Sequence, residues 1–224
     1  MPVRSPAVFP VIHYLDADTA FSEILVARTC GADGVFLISH GNSDVALLGV
    51  ARLAIREHEG FPIGLNLLSM PCIQAARMAM DVGSTMVWAD DMGVGSMGLT
   101  AEGKEMSALS RANPQLQLFA SVAFKYRPHE SDPVGAATKA RTAGFVPTTS
   151  GSATGQAPDR TKIETMAAGG SLAIASGMTP ENVHLYAPFL THILVATGVA
   201  RTEHHIDPAK LKALIGQVRP TEHS

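Results

Sequence analysis

The chain has 224 residues, 46% of them hydrophobic, with 20 Gly and 14 Pro, which is enough for one sizeable core and too little for two ordinary domains with a linker. Its 17 Lys and Arg against 20 Asp and Glu leave a net charge of -3 and no basic cluster, so nucleic acid is not an expected partner. The longest apolar stretches, such as Val45 to Ile55, are cut by Arg52 or by glycine and fall short of a bilayer span, so no membrane insertion is expected.

Met1-Pro2-Val3-Arg4-Ser5-Pro6 leads into an apolar segment containing Pro10 and His13, unlike a secretory signal, and a cytoplasmic setting is expected. Cys30 and Cys72 lie far apart in apolar surroundings and read as buried free thiols.

In chain order, a strand over Val8 to His13 is followed by a helix over Ala20 to Cys30. Next come a strand over Gly34 to Ser39 and a helix over Val45 to Glu59, then Pro62 to Leu67 with Ile73 to Val82. The pattern continues with Thr85 to Ala89 and Ala101 to Ala112, then Gln117 to Phe124 and Pro133 to Ala143. Gly144 to Thr149 precedes a helix over Arg160 to Ala168, and Leu172 to Ser176 precedes one over Pro180 to Ala187. The last pair is His192 to Thr197 with Pro208 to Val218. Thr179-Pro180 and Asp207-Pro208 each put a capping side chain before proline at a helix start.

Eight strands, each followed by a helix, predict an α/β fold: a (β/α)8 TIM barrel occupying residues 1–224 as a single domain. The alternative, an open doubly wound sheet, normally carries a Gly-rich turn after its first strand, where this chain has His13-Tyr14-Leu15-Asp16.

In such a barrel, chemistry belongs at the strand C-terminal ends. Those ends supply His13, Ser39 with His40, Asn66, Asp90 with Asp91, Lys125, Thr148 to Ser152, Ser176 and Thr197. Ser176-Gly177-Met178-Thr179-Pro180 and Thr197-Gly198-Val199 each pair a hydroxyl with glycine, the composition of a phosphate cradle whose following helix offers unpaired N–H groups. The other reading is that these glycines only make tight turns. Ser150-Gly151-Ser152-Ala153-Thr154-Gly155 reads as a further ligand clamp, or as a flexible linker of the same composition.

Lys125 suits either an acid–base or Schiff-base amine, or a charge paired with phosphate or Asp90. Alternation along a strand sends only one of Asp90 and Asp91 into the barrel mouth, and Asp90 is the candidate. His13 and His40 close neighbouring strands, but no tight metal-binding pattern accompanies them, so a substrate-bonding or structural role is preferred and no metal or other cofactor is expected. His204-His205 reads as surface.

Ser150 to Gly155, with Ser176-Gly177-Met178-Thr179-Pro180-Glu181-Asn182-Val183, resembles the strand-six and strand-seven motifs of the BtpA/SgcQ-like (β/α)8 barrels. Val11-Ile12-His13, Gly31-Ala32-Asp33-Gly34-Val35, Pro62-Ile63-Gly64-Leu65-Asn66 and Lys125 extend the similarity over most of the chain. The resemblance implies the barrel, and it implies either a role in photosystem I biogenesis or one in sugar or nucleoside metabolism. The chain departs from the family pattern at Ser39-His40-Gly41-Asn42, at Ser69-Met70-Pro71, at Ser121 and Tyr126, and in the short Leu15 to Asp18 loop.

The expected activity is that of an enzyme on a small phosphorylated metabolite, a sugar phosphate or nucleotide-like molecule, of lyase, isomerase or glycosyl/ribosyl-transfer class. Lys125 and Asp90 would form the reacting pair, His13 and Asn66 would orient the substrate, and Ser150, Gly151, Ser152, Thr154, Gly155, Ser176, Gly177, Thr197 and Gly198 would hold it. The alternatives are a non-catalytic binding or assembly protein and a Schiff-base lyase using Lys125. Assembly into a homo-oligomer is left open.

Overall fold

Alternation along each strand sorts the side chains into two layers. On the first strand Phe9 and Val11 join an inner cluster with Phe36, Ile38, Met86, Trp88, Phe119 and Leu194, while Val8 and Ile12 join an outer one packed under the helices. The structure, a computed structural model, describes residues 5–40 and 43–219; the first four residues and Gly41 and Asn42 lie outside them.

The strands are β1 (Ala7–His13), β2 (Val35–Ile38), β3 (Ile63–Asn66), β4 (Met86–Ala89), β5 (Gln117–Ser121), β6 (Phe145–Thr149), β7 (Ala173–Ile174) and β8 (His192–Val195). All pair in parallel with their sequence neighbours, and β1 closes on β8 through Ala7 opposite His192, giving the eight-stranded TIM barrel. Inside, the rings of Phe9, Phe36 and Phe119 meet edge to face. Gly64 on β3 makes this possible, because a Cβ there would collide with the Phe36 ring.

Among the described residues seven α-helices cover the outside: α1 (Ala17–Thr29), α2 (Asp44–Glu57), α3 (Cys72–Asp81), α4 (Ala101–Ala112), α5 (Pro133–Thr142), α6 (Arg160–Ala167) and α7 (Pro208–Val218). Asp16, Thr100, Asp132, Asp159 and Asp207 cap five of them by accepting from first-turn N–H groups. Cys30 and Cys72 are buried free thiols.

The helix expected over Pro180 to Ala187 does not form. Two 3₁₀ turns, Val183–Leu185 and Ala187–Phe189, take its place. Asn182 accepts from the Thr179 N–H at 2.8 Å and donates to the Gly177 carbonyl at 2.8 Å, which holds the segment as a turn. Pro188 then bars a continuing helix, since its ring would meet the carbonyl one turn back.

Two short antiparallel ribbons, absent from the sequence reading, extend the loops after β4 (Val94–Gly95 with Gly98–Leu99) and after β8 (Ala200–Thr202 with His205–Ile206). Glu130 fastens the first by accepting from the Ser96 hydroxyl at 2.6 Å, and buried Glu23 on α1 fastens the second by accepting from the Ile206 N–H at 2.7 Å.

Candidate functional site

The inward set of each strand, carried two residues further, delivers polar groups to the barrel mouth: Val11 then His13, Ile38 then His40, Trp88 then Asp90. With Leu68, Phe124 to Arg127, Thr154, Gly155, Ala175 to Met178 and Leu194 to Gly198 they line a cavity of about 290 Å³. That volume suits a small metabolite.

At one side the His13 and His40 rings lie nearly parallel, with His13 Nδ1 2.9 Å from His40 Nε2. His204, on the ribbon after β8, places Nδ1 3.0 Å from the His13 carbonyl oxygen. Burial pushes the His13 pKa down, and the nearby His40, His204 and Lys125 push the same way against Glu203. Among the described residues no cluster of three or more His, Cys, Asp or Glu is arranged to hold a metal ion.

Asp90 opens onto the cavity, yet enclosure by its walls raises the carboxyl pKa, against the pull of Arg127, Lys125 and His40. Asp91 turns away and pairs with Arg127 at 2.8 Å. Burial would raise Asp91, but its bond from Arg127 and one from the Gly93 N–H hold it low. Asn66 lies under this wall, only 1% exposed, and its Nδ2 has no hydrogen-bond partner among the described residues.

Lys125 enters from a strained loop. Ala123 and Tyr126 take φ of 47° and 60°, values that side-chain-bearing residues seldom adopt, and this ends β5 earlier than its apolar run predicts. The Ser150 hydroxyl accepts from the Lys125 N–H at 2.8 Å, and Lys125 Nζ donates to Thr154 Oγ1 at 3.3 Å. Burial lowers the amine's pKa, while Tyr126 and Asp90 oppose that.

On the far side of the ring, Gly177 packs against the backbone of Gln156 and Ala157, and Gly198 against the Met178 carbonyl. A Cβ at either glycine would collide with that backbone. The Ser176 hydroxyl donates to the Ala153 carbonyl at 3.1 Å. The N–H groups of Gly177, Thr197 and Gly198 find no acceptor among the described residues. No α-helix N-terminus stands directly behind them, since 3₁₀ turns follow β7 and β8.

Of the residues singled out from sequence, His13, Asp90, Lys125, Thr154, Gly155, Ser176, Gly177, Thr197 and Gly198 line the one cavity. Ser150, Gly151 and Ser152 do not: they face a neighbouring cleft between the loops after β5 and β6, beside Lys162. Sequence reasoning missed Trp88 and Arg127, gave Tyr126 no role in the site, and read His204, which bonds the His13 carbonyl, as surface. Alternation from Asp90 would have found Trp88, whereas nothing local marks His204.

No known family model and no curated protein sequence matches the chain. Among solved structures, phosphoribosylanthranilate isomerase from Thermotoga maritima is similar with a TM-score of 0.67 at 17% identity, covering 95% of this chain and 98% of that one. A 3-hexulose-6-phosphate synthase gives 0.71 at 11%, covering 94% and 99%. TrpF from Jonesia denitrificans gives 0.61 at 16%, covering 95% and 97%. At these identities the similarity establishes the TIM-barrel fold.

Proposed function

We propose that the protein is a cytoplasmic enzyme acting on a small phosphorylated metabolite, a sugar phosphate or nucleotide-like molecule, held by the loops after β6, β7 and β8. The observation that carries this is that Lys125 and Asp90 line one cavity with Gly177, Thr197 and Gly198, whose N–H groups find no acceptor among the described residues. Those N–H groups and the Thr197 hydroxyl suit phosphate oxygens. Asp90, its pKa raised by enclosure, exchanges a proton with the substrate, and Lys125 stabilises the negative charge that develops. His13 and Asn66 orient the reacting part. A phosphoribosylanthranilate isomerase and a 3-hexulose-6-phosphate synthase among the similar structures support the substrate class. The BtpA/SgcQ-like resemblance is part of the same proposal.

A screen of phosphorylated metabolites tests it, with Lys125→Met as the control. Turnover of any substrate found should fall at least about 100-fold while binding survives. Equal turnover and affinity in the variant would remove Lys125 from the site, whereas metabolites that raise the melting temperature without being turned over would leave a non-catalytic binding protein as the better reading. The burial-lowered amine favours a second chemistry, a Schiff-base lyase, for which borohydride would trap a substrate adduct on Lys125.

A further inference from the structure

The floor of the cavity is made of carbon. Val11, Ile38, Trp88, Phe124, Ala175 and Leu194 form it, and all belong to the inner cluster of the barrel. Within that cluster Phe36, Phe119 and Ala173 are 0% exposed, whereas Trp88 and Phe124, which line the cavity, keep 7% and 8%.

The two rings are fixed. The Trp88 Nε1–H donates to the Ser121 hydroxyl at 3.0 Å, so its one polar atom is engaged beneath the floor and the indole offers only π surface. Phe124 meets Trp88 edge to face, with centroids 6.1 Å apart. At the rim, Leu68 and Tyr126 remain 39% and 79% exposed and line the same cavity. Polar groups line the same cavity, among them His13, His40, Asp90, Lys125, Ser176 and Thr197, and the Lys125 ammonium lies over the Phe124 ring, 5.8 Å from its centroid. A polyol lying on this floor would leave several hydroxyls facing carbon without partners, which is costly. A flat ring there buries apolar surface against the floor and leaves no hydroxyl without a partner.

We propose that the ligand is a phosphate monoester whose other end is a planar, largely apolar ring seated on Trp88 and Phe124, not a free polyol. This rests on the reading of the cavity as a phosphate-ligand site, and it narrows that reading to aryl or heteroaryl phosphates.

Trp88 is the sole tryptophan, so its fluorescence reports this floor alone. Phenyl phosphate, ribose 5-phosphate, inorganic phosphate and phenol are titrated against the full chain. The expected result is that phenyl phosphate shifts Trp88 emission and binds at least about tenfold tighter than ribose 5-phosphate, in competition with inorganic phosphate. Phe124→Leu, which keeps the apolar volume, should weaken phenyl phosphate about two- to tenfold and leave ribose 5-phosphate unchanged. Leu68→Asn on the exposed rim should act in the same direction without disturbing the core.

Ribose 5-phosphate binding as tightly as phenyl phosphate, or more tightly, would overturn the inference and leave the phosphate reading standing. Phenol matching phenyl phosphate would keep the ring seat and overturn the phosphate site. Binding of none of the four would overturn both.

Discussion

The Lys162 ammonium group on α6 donates to the Ala123 carbonyl at 2.8 Å, the carbonyl of the residue whose φ of 47° begins the turn that presents Phe124 and Lys125. The same ammonium donates to the Ser150 carbonyl at 2.9 Å, and Thr149 Oγ1 adds a third bond, to Ala123, at 3.1 Å. Left-handed backbone at alanine persists only where surrounding bonds over-determine it. Burial accordingly lowers the Lys162 pKa.

Lys162→Met keeps the stem and removes both bonds. Stability should drop by about 2–3 kcal/mol, within the range for hydrogen bonds from a charged donor, or roughly 4–12 °C in melting temperature for a chain of this size. A melting temperature within a degree of wild type would show that the loop holds its own shape.

Gly177 and Gly198 at the proposed phosphate loops, with Gly31 in the turn before β2 as a reference, separate two costs. Gly31 has φ of 88° and open space where a Cβ would go, so Gly31→Ala should cost only the conformational penalty, about 1–2 kcal/mol. Gly198 lacks the positive φ but would collide with the Met178 carbonyl, so Gly198→Ala should cost about 1–3 kcal/mol through displaced loops. Gly177→Ala incurs both terms and should be the least stable of the three. Chemical denaturation of the three variants checks the order; equal losses would refute it. Thr197, exposed at the mouth, is the better position for testing the anion site, and Thr197→Asp should abolish any phosphate-induced rise in melting temperature while leaving the unliganded value in place.

At the opposite end of the barrel, His192 stacks on Phe9 and meets the Phe119 edge with centroids 5.9 and 5.1 Å apart. Burial pushes its pKa down to about 4, opposed weakly by Asp33. The unfolded chain takes up this proton near pH 6.5, while the folded protein refuses it until about pH 4. Stability from this residue is therefore complete above about pH 7 and is lost as the pH falls to 4, a total of about 3 kcal/mol. His192→Phe keeps the stack and removes the titration, so its stability should vary less between pH 7 and 4. Parallel curves for variant and wild type would place the acid sensitivity elsewhere.

Asp90 and Lys125 are electrostatically coupled, the carboxylate holding the amine's pKa higher than burial alone would leave it. Asp90→Asn should lower the Lys125 pKa further, so that at pH 8 acetylation of Lys125, followed by peptide mass spectrometry, runs faster than in wild type. An unchanged labelling profile would mean that the two groups do not interact across the cavity.

The barrel itself was legible in the residues because its signal is local. Alternation along Val8 to His13 or Thr85 to Ala89 sets which side chains turn inward, and the spacing of those runs leaves room for one helix each. The same period placed His13 and Asp90 at one mouth. What failed was local information overruled by distant contacts. Thr179-Pro180 announces a helix, but Asn182 binds backward to Gly177 and Pro188 stops the run. The hydroxyl and glycine run from Ser150 to Gly155 reads as one clamp, yet only its last two residues reach the cavity, because Lys162 and Lys125 draw Ser150 down between two loops. Composition states what a loop can bond; the direction in which it bonds is set by side chains that arrive from other strands and helices, as Lys162 does at Ser150 and His204 at His13.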